Sequence, residues 1–164
     1  HIAAELGVPV TPEQLEEALQ ARLAYTARNL RPRANVVATI TALRERGYQT
    51  ALVSDCTGEV PVLWPESAFV DLFDVTIFSC AVGVKKPDPR IYRAATDELG
   101  VPPEECVYVG DGSSSELTGA AALGMRAVLI RDPAERWSAH FGEREDAWTG
   151  ERISCLGELL DLLD

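Results

Sequence analysis

The chain has 164 residues, enough for one domain with a core of its own, and its 46% hydrophobic and 25% charged composition is that of a globular protein. A formal net charge of -11, from 15 basic against 26 acidic residues, argues against an extended nucleic-acid or anionic-membrane surface. No apolar run approaches the ~18 residues that cross a bilayer, and no charged-then-apolar leader opens the chain.

The first element in chain order is "TPEQLEEALQARLAYTARNL". Thr11 is placed as N-cap, Pro12 at the first helical position and Gln14 as the closing residue of a capping box, with Leu15, Leu19, Leu23 and Ala24 at helical spacing. A second helix runs through about Arg46 and stops at Gly47, and the apolar run "TALVS" follows. "DCTGEVPVLW" predicts a loop and a broken helix, and "FDVTIFSC" a strand. In "GVKKPDPRIY", Asp88 caps and Pro89 opens a helix that closes at "ELGVPPEE". "CVYVGD" predicts a third strand, "SSSELTGAAALG" a helix ending at Gly124, and "MRAVLI" a fourth strand. The stretch "DPAERWSAHFGEREDAW" predicts irregular chain, and "SCLGELLDLLD" a terminal helix. Strands alternating with helices at this spacing predict an α/β fold in three layers. A mainly parallel, doubly wound sheet is covered on both faces, and the strands are apolar throughout.

Cys56, Cys80, Cys106 and Cys155 show no C-x-x-C spacing. They read as reduced, mostly core thiols of a cytoplasmic protein. The chain opens on His1, which predicts a processed product or a piece of something longer.

Ligands of open α/β sheets bind beyond the carboxyl ends of the strands, and three strands here end in polar groups. The first ends at Ser54 and Asp55, the second leads to Lys85 and Lys86, and the third ends at Asp111, followed by Ser113, Ser114, Ser115 and Glu116. Hydroxyl, ammonium and carboxylate facing one crevice are the parts of a magnesium-assisted phosphoryl-transfer site. Each part has a plainer reading. Ser54 or Asp55 could cap a helix, Asp111 could hold a turn between Gly110 and Gly112, and "SSSE" is also a capping box from Ser113 to Glu116. Two solvated lysines would need no ligand at all.

In order and spacing these pieces resemble the haloacid dehalogenase-like hydrolase superfamily, in the branch with a helical cap inserted early in the chain. "RANVVATITALRERGYQTALVSDCT" resembles that family's second motif, and "GVKKPDPRIYRAATDELGVPPEECVYVGDG" its third and fourth. The resemblance covers about residues 31–131 and makes residues 1–30 the end of the cap and 31–164 the α/β core. It implies Ser54 and Lys86 as catalytic residues that also bind the substrate phosphate, with Asp55 beside them. Asp111 becomes the ligand of a Mg2+ ion, with Glu116 or Ser115 contributing directly or through water. The implied activity is hydrolysis of a small phosphorylated metabolite through an aspartyl-phosphate.

The family's first motif, Asp-x-Asp-x-Thr, is not found ahead of Ser54, so neither nucleophile nor general acid can be assigned in this chain. Two readings follow: a part of a phosphatase whose opening strand is supplied from elsewhere, or a non-catalytic α/β binding domain. A 2-haloacid dehalogenase is the rival within the superfamily, disfavoured by the "VGDG" carboxylate. A phosphorelay receiver orders its acidic pair before the hydroxyl and lysine, the reverse of the order here. In the family's sheet the opening strand lies between those ending at Ser54 and Asp111. The expectation is therefore two half-sheets with facing unpaired edges, a chain inactive and poorly stable alone, and a missing segment or another chain completing the sheet.

Overall fold

The computed structural model describes residues 2–132 and 148–163. Helix α1 (Ile2–Glu5) precedes α2 (Pro12–Asn29), which opens with the expected capping box: the Gln14 amide donates to the Thr11 hydroxyl and the Thr11 amide to the Gln14 side chain. Helix α3 (Val36–Glu45) is followed by β1 (Ala51–Ser54), α4 (Glu59–Leu63), β2 (Val75–Phe78) and α5 (Ser79–Val82). Then come α6 (Pro89–Leu99), β3 (Val107–Gly110), α7 (Glu116–Ala122), β4 (Arg126–Ile130), β5 (Arg152–Ile153) and α8 (Leu159–Leu162). Asp88 caps α6 by accepting from the Arg90 amide, Pro89 takes the first turn, and Gly100 ends the helix in the left-handed region.

Among the described residues all strand pairings are parallel, but the strands form two sheets. One is β1-β2, with Ala51 opposite Val75, and the other is β3-β4-β5, with Val107 opposite Arg126 and Leu129 opposite Arg152. Among the described residues β1 and β3 are not hydrogen-bonded to each other, and each keeps one unpaired edge. A cavity of about 680 Å³ is lined by both, through Leu52 and Val53 of β1 and Val107 and Val109 of β3. Helix α6 contributes Ala95 and Leu99 to its wall, and α3 contributes Ile40 and Leu43.

Helix α6 buries Ile91, Tyr92, Ala95 and Thr96, one face at i, i+1, i+4 and i+5, against Val75 and Ile77 of β2 and Leu117 of α7. Full burial of one such aliphatic side chain contributes about 2 kcal/mol. A second cluster joins Leu43 of α3 and Val128 of β4 to Ile153 and Leu159. Gly119 of α7 is set by close approach: a Cβ there would lie 2.7 Å from the Tyr92 hydroxyl and 2.8 Å from Pro87.

Several expectations need correction. The strands were read as buried on both faces, yet every residue of β1 and β3 is half-buried, because their free edges face the cavity; among the described strands only β4 has a fully buried run, Ala127, Val128 and Leu129. The cysteines are not core thiols: Cys80 and Cys155 are exposed, Cys56 and Cys106 half-buried. Strand β5, two residues long, is too short to leave a periodic signal. The terminal helix shrinks to a 3-10 turn at Leu156–Glu158 and the four residues of α8. Helix α2 buries none of its residues, so its apolar stripe of Leu15 and Leu19 stands uncovered. Its link to the core includes the ion pair of Arg22 with Glu59 on α4, at 2.5 Å. The stretch read as irregular, residues 132–148, lies almost wholly outside the described residues.

Candidate functional site

Strand β1 runs parallel to β2, so the loops that follow these two leave from the same end of their sheet, and the loop after β2 reaches the helix that follows β3. Hydrogen bonds join these loops. Asp55, just past β1, accepts the backbone N–H of Lys86 at 3.1 Å. The Ser79 hydroxyl, at the start of α5, accepts from the Cys56 amide at 3.0 Å. Lys86 reaches across to α7, its ammonium 2.6 Å from Glu116 Oε2, with only 11% of the lysine side chain and 3% of the glutamate side chain exposed. Lys85, by contrast, is exposed.

Glu116 is the hub. Oε2 also accepts from the Tyr108 hydroxyl at 2.8 Å, and Oε1 accepts from the Gly112 amide at 3.2 Å. Its backbone carbonyl accepts from the Tyr92 hydroxyl at 2.9 Å. Burial, followed by the charge and hydrogen bond of Glu116, pushes the Tyr108 hydroxyl far above its ordinary pKa, so it serves as a permanent donor. The chain pattern offered a hint here, since a tyrosine inside an apolar strand needs a partner for its hydroxyl. Neither Tyr92 nor Tyr108 was singled out.

The capping box that was one of the two readings of Ser113 to Glu116 does not form. Ser114 and Ser115 sit at φ 56° and 53°, the three serines make a 3-10 turn, and the helix starts at Glu116 with no side-chain cap. Freed from that role, the Glu116 carboxylate folds back over the end of β3. This explains Gly110: a Cβ there would overlap the carboxylate of Glu116. We expect Gly110→Ala to destabilise the fold by about 1–3 kcal/mol, the usual range for overpacking. Urea unfolding would measure it, and wild-type stability would refute the close approach.

Asp111 is exposed at the tip of β3. Partial burial pushes its carboxyl upward, but the Ser113 amide, 2.9 Å from Oδ1, the Ser113 hydroxyl, a hydrogen bond with the Glu116 side chain and the Lys86 charge outweigh it, leaving the group below its ordinary pKa. Ser54 closes β1 half-buried, and Ser115 is exposed. The structure thus joins Lys86 to Asp55 through its backbone amide and to Glu116 through its ammonium, and sets Asp111 beside Lys86 and Glu116, with Glu116 also engaged by Tyr108 and Gly112. Among the described residues no group of three His, Cys, Asp or Glu side chains stands ready to hold a metal.

The family description "haloacid dehalogenase-like hydrolase" matches residues 2–124. The chain belongs to this family. A phosphoserine phosphatase of Thermus thermophilus is 32% identical over 158 residues, covering 90% of this chain and 60% of the relative. A glyceraldehyde 3-phosphate phosphatase of Methanopyrus kandleri is 36% identical over 105 residues, covering 62% of this chain and 44% of the relative. The crystal structure of a phosphatase of the family from Thermococcus onnurineus superimposes with a TM-score of 0.71 at 27% identity, covering 98% of this chain and 68% of that one. The chain therefore spans roughly half the length of the curated relatives it matches. The three-layer α/β architecture is that of the family. No described helix is long and apolar enough to cross a membrane.

Proposed function

We propose that this chain forms part of a magnesium-dependent, cytoplasmic phosphatase of a small phosphorylated metabolite, with residues 1–30 as the end of a helical cap and 31–164 as the catalytic core. The observation that carries this reading is the Lys86 ammonium, held on Glu116 beside the exposed carboxylate of Asp111. Lysine compensates the charge of a bound phosphate, and the Ser54 hydroxyl donates to one of its oxygens. Asp55 fixes the lysine loop through the Lys86 amide. A carboxylate from outside this chain attacks phosphorus, the bond to the ester oxygen breaks, and the leaving alkoxide takes a proton. Water then hydrolyses the aspartyl-phosphate, returning the carboxylate and phosphate.

Asp111 fits a magnesium ion as its one protein carboxylate from these residues, the rest of the shell being water, substrate oxygen and outside ligands. The ion would neutralise phosphate charge during transfer. Glu116, committed to Lys86, suits a positioning role better than ligation, and Ser115 is left for contact through water. We further propose that the space between β1 and β3 receives a strand from a segment not in this chain, or from another chain, carrying the nucleophile.

The test is magnesium titration of the complete protein, wild type and Asp111→Asn, against phosphate monoesters. Magnesium should activate the wild type and barely activate the variant; equal activation of both would sink the metal assignment. Turnover of 2-haloacids but not phosphate esters would replace the phosphatase by a dehalogenase. With neither activity, the binding-domain reading would stand.

A further inference from the structure

Outside the lysine–glutamate network, two thiols face each other across the segments that follow β1 and β2. Cys56 follows Asp55 after β1, and Cys80 lies in the first turn of α5 after β2, 24 residues on, with the two sulfurs 3.8 Å apart. Their spacing in sequence gave no sign of this, since the parallel pairing of β1 with β2 brings them together. The surroundings hold the pair in place. The Ser79 hydroxyl accepts from the Cys56 amide at 3.0 Å and donates to the Cys56 carbonyl at 3.3 Å, locking the two loops side by side. A disulfide needs sulfurs about 2.05 Å apart, so closure asks for a movement of roughly 1.7 Å shared between two side chains.

We propose that Cys56 and Cys80 form a dithiol modification site that reacts with small-molecule disulfides and closes to an intramolecular disulfide. Cys80 is the exposed member and makes the first attack. Its thiolate takes one sulfur of the small disulfide and expels the other half as a thiolate, leaving a mixed disulfide. The Cys56 thiolate then attacks the Cys80 sulfur, forming the protein disulfide and expelling the second half. Two protein thiols are oxidised and one small disulfide is reduced to two thiols, the two protons of the protein thiols passing to the expelled thiolates.

The order of attack agrees with the electrostatics. Burial first, then the hydrogen bond and charge of Cys80, push the Cys56 thiol up to about 11, while Ser54 pulls it down. Cys56 is thus a poor first nucleophile. Once Cys80 is capped its thiolate charge is gone, one cause of the upward shift disappears, and Cys56 becomes easier to ionise for the second step. The closed bond would tie the loop that begins with Asp55, at the end of β1, to the segment leading into Lys86.

The experiment treats the reduced complete protein with excess oxidised glutathione, blocks remaining thiols, and maps peptides without reduction. No lysine or arginine lies between the two cysteines, whereas Glu59 and Glu66 do, so cleavage after glutamate separates the halves. The expected product is a pair of peptides joined through Cys56 and Cys80 that reduction separates. It should persist in the C106S/C155S double variant. It should vanish in C56S, which keeps glutathione on Cys80, and in C80S, where Cys56 reacts far more slowly. Thiols left unreacted, separate glutathione adducts on both cysteines, or a link through Cys106 or Cys155 in its place would overturn the proposal.

Discussion

Replacing Lys86 with alanine in the complete protein is expected to lower turnover of phosphate monoesters by about 100- to 1000-fold, the usual loss when one preorganised charge-stabilising group is removed. Lys85→Ala should leave turnover close to wild type, since Lys85 is exposed and Lys86 carries the ion pair. A complication arises because Lys86 has two duties. Its removal strands Glu116 as a buried carboxylate, and breaking a buried pair from one side destabilises by about 3–5 kcal/mol. Lost turnover could then be lost folding. The Lys86→Ala/Glu116→Gln double variant separates the two: it should regain stability in denaturant unfolding yet remain as slow as the single variant. Recovery of turnover in the double variant, or a larger loss from Lys85→Ala, would remove Lys86 from the phosphate site.

The second large effect concerns the cavity between β1 and β3. Residues 1–164 expressed alone should hydrolyse no phosphate ester and should aggregate, because two strand edges and an apolar wall stand open together. On the proposal that a strand seats there, co-expression with a segment or partner that carries it should yield soluble protein and restore activity. Size-exclusion chromatography and phosphate release would read the two results. A soluble, monomeric 1–164 whose β1 and β3 amides exchange as slowly as those of β4 would show that no strand is wanted there.

Helix α6 and its cap were legible because Asp88, Pro89 and Gly100 act within one turn of where they stand, and β1 to β4 because apolar runs bounded by turn residues need no tertiary help. The cavity was expected only from the resemblance; no residue of β1 announces which neighbour it lacks. Glu116 shows the limit most clearly. "SSSE" is a capping box as text, and it became something else because Lys86 and Tyr108 arrive from elsewhere in the chain to claim the carboxylate. The cysteine pair was hidden for the same reason: proximity came from sheet pairing. Helix α2 was legible from its capping box and helical spacing, but periodicity marks an apolar stripe and not what covers it.

The Lys86–Glu116 pair has a consequence for linkage. Lys86 belongs to the segment after β2 and Glu116 to the helix after β3, so the pair spans the two sheets that flank the cavity. The lysine's position is therefore tied to how far apart the sheets stand. An anion that draws the ammonium into place favours one separation, and a strand seated between β1 and β3 favours one as well. If both prefer the same separation, each must tighten the binding of the other by the same factor, as reciprocity between two sites requires. Phosphate would then act as a ligand that helps the fold close around the strand proposed to seat there.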